Sequence, residues 1–147
     1  MSTNMVLRRA TLQDAELLLA WRNDLQTRLA SHTSDTIALA DHVSWLTRLL
    51  NDTSRRLFIA EEAGVPLGSV RADSEADGVT LLSWTVAPDA RGHGVGKRML
   101  AALLEKLTGT LRAEVKVGNV ASMRIAESAG LLLVREEGGV LYYKARR

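Results

Sequence analysis

The chain has 147 residues, 46% hydrophobic and 24% charged, with a formal net charge of +2 and no cysteine. This suits one domain over residues 1–147 with its own core. The missing cysteine excludes a disulfide framework, a thiol nucleophile and a thiolate metal site. The histidines, His32, His42 and His93, share no ligand spacing, so no metal is expected. The small positive charge lacks Lys/Arg blocks and interleaved aromatics, which argues against nucleic acid. No apolar run approaches the ~20 residues of a membrane span, and no secretory leader is legible. The expectation is a cytoplasmic protein, monomeric or homodimeric.

In chain order, Val6–Arg9 reads as a short strand. Thr11 opens a helix, with Asp14 completing a capping-box variant and Leu17, Leu18 and Trp21 on the buried side. Ser31–Thr36 is a polar loop. Leu39–Leu50 is a second helix, with Val43, Leu46, Leu49 and Leu50 in helical period. Leu57–Ala60 and Leu67–Ala72 form a hairpin around Gly64-Val65-Pro66, and Asp73–Gly78 turns into the long strand Val79–Val86. After a glycine-rich turn, Leu100, Leu103, Leu104 and Leu107 mark the buried stripe of a helix. Thr110–Val117 alternates, with Leu111, Ala113, Val115 and Val117 on one face and Arg112, Glu114 and Lys116 on the other. A further helix precedes Gly130, and Leu132–Glu136, Gly138-Gly139 and Val140–Lys144 form a last hairpin. The order β-α-α-β-β-β-α-β-α-β-β predicts an α/β domain.

The turn Arg91-Gly92-His93-Gly94-Val95-Gly96 lays backbone N–H groups at a helix N-terminus. There, unpaired donors and the helix dipole favour phosphate. Arg91 and Lys97 add positive charge at its edges. A Walker A loop needs glycine at Arg91 and Ser or Thr at Arg98, and a dinucleotide fingerprint starting at Gly92 needs glycine at Lys97, so neither fits. In the segment Asn119–Leu131, Asn119 is a good N-cap and Gly130 a good helix terminator. Asn119, Ser122 and Ala126 share one helical face.

Arg-x-x-Gly-x-Gly at Arg91–Gly96, followed by Asn-x-x-Ser-x-Arg-x-x-Glu-x-x-Gly at Asn119–Gly130, resembles the GNAT superfamily of N-acetyltransferases. The second motif is similar to its ribosomal-protein N-terminal acetyltransferase branch. The resemblance implies a mixed, strongly twisted sheet with helices on both faces and acetyl-CoA as cosubstrate. By position it implies a cofactor site of Thr85, Val86, Arg91, Gly92, His93, Gly94, Val95, Gly96, Lys97, Asn119 and Ser122. In the family two parallel strands splay around the pantetheine arm. By position Ser83–Val86 would donate to it, and Val86 N–H would stabilise the oxyanion, with Pro88 ending the strand pairing. The tyrosine many members use as acid falls at Ala126, which leaves Ser122 to contact the sulfur. A base used by some members falls at Thr80, which cannot serve.

Trp21-Arg22-Asn23 … His42-x-x-Trp45, with Ser83-Trp84-Thr85-Val86, is similar to enzymes that acetylate a nucleotide-linked 4-amino sugar in nonulosonic-acid biosynthesis. This implies an acceptor site of Trp21, Arg22, Asn23, Arg28, His42, Trp45 and Trp84. Indoles stack on rings, guanidinium groups hold phosphate, and His42 serves as base. The expected reaction is direct attack by an amine, best a nucleotide-linked amino sugar, in a ternary complex. Protein N-terminal acetylation and a non-catalytic acyl-CoA-binding module are the alternatives.

Overall fold

A computed structural model describes residues 4–147. It shows one seven-stranded sheet in the order β1-β2-β3-β4-β5-β7-β6. The strands are β1 (Val6–Arg9), β2 (Arg55–Glu62), β3 (Val65–Ser74), β4 (Val79–Val86), β5 (Thr110–Lys116), β6 (Leu132–Glu137) and β7 (Val140–Arg146). All neighbours are antiparallel except β4 and β5. That parallel pair needs a crossover, supplied by α4 (Val95–Leu104). The other helices are α1 (Ala15–Asn23), α2 (Leu25–Ala30), α3 (Leu39–Leu50) and α5 (Val120–Ser128).

The sheet is covered on both faces. A Cβ at Gly68 of β3 would lie 2.7 Å from Met99 Sδ of α4, which fixes that face. Three residues on, Arg71 stands over Trp45 of α3, at 5.7 Å from the ring centroid, on the opposite face. The core beneath α4 is built from Met99, Leu100, Leu103, Leu111 and Tyr143, all essentially inaccessible. Leu46 and Leu49 seal the α3 side.

Several expected boundaries move for local reasons. Thr11 does open a capping box, but onto a 3₁₀ turn, Leu12–Asp14, before α1 begins. The first helix breaks at Asp24, whose extended backbone (ψ 135°) and carboxylate cap α2 through Thr27 N–H. An aspartate that can bond the next turn's N–H competes with helix continuation. The first hairpin turns on Ala63-Gly64, both at positive φ, and Val65 and Pro66 already belong to β3. Val43 and Val117 face solvent rather than core. Leu107 is buried but lies beyond the end of α4.

The capping box is also the best-tied polar cluster near the N-terminus. Asp14 is buried and takes two bonds from Arg8, at 2.8 and 2.9 Å, and one from Thr11 N–H at 2.8 Å. The Arg8 bonds hold its carboxyl below the usual carboxylate range. A depressed native pKa stabilises the fold above the unfolded value, and that stability is lost as pH falls through the native one. Asp14→Asn should therefore cost about 1–2 kcal/mol at neutral pH. In urea titrations the gap between wild type and variant should close as pH drops below about 4.

Candidate functional site

The β4–β5 ladder stops early. Its pairing runs Val79↔Thr110 to Leu82↔Ala113 and no further. Yet β4 stays paired to β3 as far as Gly68↔Val86, and β5 to β7 as far as Lys116↔Val140. The two strands part after Leu82 and Ala113.

Parity shows which backbone groups line the opening. Ala87 N–H donates to Leu67 C=O at 2.8 Å. Bonded and non-bonded pairs alternate in an antiparallel ladder. Ser83 and Thr85 therefore turn their backbone to β3, whereas Trp84 and Val86 turn theirs to the gap. On the other rail, Gly109 and Arg147 exchange both bonds at 2.8 Å, which by the same count directs Glu114 and Lys116 into the gap. The expected role of Val86 N–H has its orientation here, and Thr85 N–H does not.

The gap opens into a cleft of about 960 Å3 whose far end is the glycine-rich turn. Pro88 starts a 3₁₀ turn, the chain passes Arg91–Gly94, and α4 begins at Val95. Gly94 is the N-cap at φ 72°, a left-handed conformation that lets the turn feed its amides into the helix end. The first intrahelical bond is Arg98 N–H to Gly94 C=O, at 3.2 Å. The N–H groups of Val95, Gly96 and Lys97 thus have no partner within the helix, and no side chain caps them. This is a ready anion site, open to a diphosphate.

Three residues of the motif sit differently from expectation. Arg91 is not a mobile phosphate ligand: its guanidinium donates to Asp24 Oδ2 (2.6 Å), Gln26 Oε1 (2.9 Å) and Thr27 Oγ1 (3.0 Å). It fastens the turn to α2, and its hydrogen bond holds the Asp24 carboxyl below its ordinary range. Gly96 lines the cleft, but what demands a glycine there is packing, since a Cβ would collide with Ile125 Cδ1. His93 is exposed and does not line the cleft, whereas Gly92, Gly94, Val95, Gly96 and Lys97 do.

Helix α5 forms the other wall. Asn119 is its N-cap, with Oδ1 accepting from Ser122 N–H at 3.2 Å. Its C-terminus closes in a Schellman motif, Gly130 N–H to Glu127 C=O and Leu131 N–H to Ala126 C=O. Ser122 Oγ accepts Trp84 Nε1–H at 3.2 Å. Ala126 is fully buried beneath that face.

A second cavity, about 290 Å3, lies under α1 and α3. Trp21, Arg22, His42, Trp45 and Trp84 all line it, as does Thr85. Asn23 and Arg28 do not; they brace the loop after α2. Asn23 clamps both backbone groups of Ile37 (2.8 and 2.9 Å), and Arg28 bonds the carbonyls of Asn23 and Ser34. Arg22 bonds Thr33 C=O at 2.6 Å, leaving Nη1 buried and unpaired. His42 is buried, stands 5.4 Å from the Trp45 ring, and has an unpartnered Nε2. Burial pushes its pKa below the ordinary histidine value.

Arg71 and Ser69 were not anticipated, and both line this pocket, as does Ser83, whose backbone turns to β3 rather than to the gap as expected. Arg71 bonds Asp73 at 3.2 Å, and its pKa is lowered mainly by burial. The one sequence signal is a cation interrupting the apolar Val70–Ala72 stretch of a central strand. Arg71, Ser83, Trp84 and Thr85 line both cavities, so the two adjoin along β4.

A family model described as an acetyltransferase (GNAT) domain matches residues 4–132. The fold is similar to an aminoglycoside acetyltransferase AAC(6')-Ib solved with coenzyme A (TM-score 0.83, 23% identity, covering 98% of this chain and 95% of that one). It is similar to a ribosomal-protein-alanine N-acetyltransferase from Brucella melitensis (TM-score 0.80, 26% identity, 97% and 99% covered). A spermidine N-acetyltransferase from Vibrio cholerae, solved with CoA and spermine, also shares the fold (TM-score 0.86, 15% identity, 97% and 95% covered). No curated protein gives a significant sequence match. The chain belongs to the GNAT acetyltransferase family and is an acetyl-CoA-dependent N-acetyltransferase. Among the described residues no group of three His, Asp or Glu could hold a metal, and no helix is long and apolar enough to cross a membrane.

The two glycines separate by experiment. Gly94→Asp places a carboxylate at the anion site in a conformation aspartate tolerates. It should abolish the rise in Tm that acetyl-CoA gives the wild type, with little loss of stability. Gly96→Ala should destabilise the apoprotein by about 1–3 kcal/mol through overpacking, and Ile125→Val should restore part of it.

Proposed function

We propose that this acetyltransferase acetylates a small-molecule amine held in the α1–α3 pocket, best the amino group of a nucleotide-linked amino sugar. The observation that carries the reading is the shared wall. Arg71, Ser83, Trp84 and Thr85 border both the cofactor cleft and the pocket, so an amine in one can meet a thioester in the other without leaving the protein. The volume of the pocket is at the small end of ligand sites, which fits a sugar ring with the nucleotide extending outward.

The chemistry of the walls supports an anionic acceptor. Arg22 and Arg71 are present, with Trp21, Trp45 and Trp84, and no Asp or Glu is among the lining residues. A polyamine or aminoglycoside would bring several positive charges to a wall of two guanidinium groups whose nearby carboxylate, Asp73, is already paired with Arg71. Acetylation of a protein N-terminus remains the second reading, favoured by the 26% identity to the ribosomal-protein-alanine enzyme.

In this proposal acetyl-CoA supplies an activated acyl group, its diphosphate on the N–H groups of Val95–Lys97 and its pantetheine arm between Val86 and Glu114. Val86 N–H donates to the carbonyl oxygen as negative charge develops there, a contribution of ~3 kcal/mol in comparable sites. His42, kept neutral by burial, takes the proton from the attacking amine. Ser122 contacts the departing sulfur. The catalytic unit is residues 1–147, acting in the cytoplasm as a monomer or homodimer.

The test is an assay of coenzyme A release over a panel of amino sugar nucleotides, free amino sugars, spermidine, aminoglycosides and N-terminal peptides. The nucleotide-linked amino sugar should give the highest kcat/KM; preference for spermidine or a peptide would overturn the reading. Arg71→Gln should raise KM for the anionic acceptor about tenfold or more. His42→Ala should depress kcat at neutral pH, and the difference from wild type should vanish in acid. A depressed pKa keeps the wild-type imidazole a base to a pH below the usual histidine range, and only protonation below that removes its advantage.

A further inference from the structure

We propose that Trp84 is a positioning residue for thioester cleavage: its indole N–H locks the Ser122 hydroxyl so that the hydroxyl hydrogen points at the departing thiolate. This rests on the reading of Ser122 given above and does not depend on which amine is the acceptor.

The geometry begins with the parted strands. Trp84 lies in the stretch of β4 beyond Leu82↔Ala113, where no β5 partner covers it. Its side chain reaches the start of α5 and donates Nε1–H to Ser122 Oγ at 3.2 Å, joining residues 38 apart in sequence. An indole nitrogen only donates, so Oγ must be the acceptor in this bond. The hydroxyl keeps one hydrogen of its own, and among the described residues no acceptor for it is recorded. Asn119 Oδ1 accepts from the Ser122 backbone N–H, not from its hydroxyl. Both Trp84 and Ser122 line the cofactor cleft. With one lone pair pinned by the indole, the remaining O–H is restricted to directions away from β4's ring.

Two further observations tie the pair to the reaction. The backbone of Trp84 turns into the gap beside that of Val86, so the indole leaves from the same rail that would hold the thioester. Ala126, one turn beyond Ser122 on the same face, carries no functional group and is fully buried. Ser122 is therefore the hydroxyl that this face of α5 offers to the cleft. Accepting a hydrogen bond polarises an O–H and strengthens the bond it donates, which is the second service the indole performs.

The step balances without a serine alkoxide. The amine lone pair forms the C–N bond, and the nitrogen gives one proton to His42 or water. The C–S bond breaks with its electron pair going to sulfur. Ser122 keeps its proton and donates a hydrogen bond to that sulfur. A thiol has a reference pKa of about 8.5, so the anion is a competent leaving group once solvated by one good donor, and it takes its proton from solvent afterwards.

The experiment joins kinetics to an observation on the free enzyme. Ser122→Ala should lower kcat about tenfold and leave KM for acetyl-CoA nearly unchanged. Trp84→Phe keeps the ring and removes the N–H. It should lower kcat severalfold in the wild-type background and have no further effect on kcat in the Ser122→Ala background. Ser122→Thr, which retains the hydroxyl, should recover most of the activity. In ¹H–¹⁵N spectra of the unliganded protein, the Trp84 indole resonance, identified by its absence from Trp84→Phe, should move upfield in Ser122→Ala and return in Ser122→Thr. Equal losses from Trp84→Phe in both backgrounds, an indole resonance unmoved by Ser122→Ala, or an unchanged kcat in Ser122→Ala would each overturn the proposal. An effect of Trp84→Phe on acceptor KM alone would also overturn it, returning the residue to the pocket wall.

Discussion

Everything distinctive about this site follows from two parallel strands that stop pairing halfway along. Backbone N–H and C=O groups are obligatory hydrogen-bonding groups, and leaving one buried and unpaired costs about 1–3 kcal/mol. Beyond Leu82 and Ala113 the groups of Trp84, Val86, Glu114 and Lys116 have no strand to bond. The sheet tolerates this because each strand is still fully paired on its outer side, β4 to β3 and β5 to β7. The opening is braced from above by α2. Arg91 fastens its first turn to the β4 side, and Lys116 Nζ bonds Leu29 C=O at 3.1 Å near its end on the β5 side. A six-residue helix with no buried residue gains little from packing, so these polar ties account for its place across the gap.

The same ties redistribute charge. With the Arg91 guanidinium spent on Asp24, the donors left open at this turn are the fixed N–H dipoles of α4, with Lys97 beside them on the cleft wall. Fixed dipoles need no reorganisation when the anion arrives. Arg71 is the cation that both cavities share, and Asp73 and the Trp45 face restrain it. A restrained guanidinium loses less entropy on meeting a ligand than a free one. The wall common to both cavities thus carries a restrained guanidinium.

What the sequence disclosed was whatever local pattern controls. Val6–Arg9, Leu39–Leu50 and Val79–Val86 were legible to the residue, because periodicity of 2 or 3.6 and clear flanking breakers act over a few positions. The glycine-rich turn into α4 and the caps of α5 were legible for the same reason, as was the gathering of Trp21, Arg22, His42 and Trp45, which follows from two adjacent helices. The misplacements share a different cause. Arg91 finds partners 64 to 67 residues away, and Gly96 is constrained by Ile125 on another helix. Arg28 and Asn23 look like ligand-binding groups by type, but a loop with unpaired carbonyls claimed them first. Arg71 was missed because a single cation in a strand has no spacing to betray it.

The absence of a tyrosine at Ala126 is better understood through the leaving group than through the helix. A thiolate is a far weaker base than the alkoxide of an ordinary ester, so its departure needs solvation more than protonation. A small residue at 126 lets α5 close tightly on the sheet, where Ala126 and Ile125 are both buried. That close approach brings Ser122 within reach of the indole from β4. The catalytic demand shifts to the start of the reaction, where the amine must be neutral when it attacks. An amine beside electron-withdrawing ring substituents, as on a sugar, meets that demand more readily than a lysine side chain. On the proposed reading, a buried His42 whose pKa lies below the ordinary histidine value is base enough for such an acceptor, whereas a strongly basic polyamine would call for a stronger one.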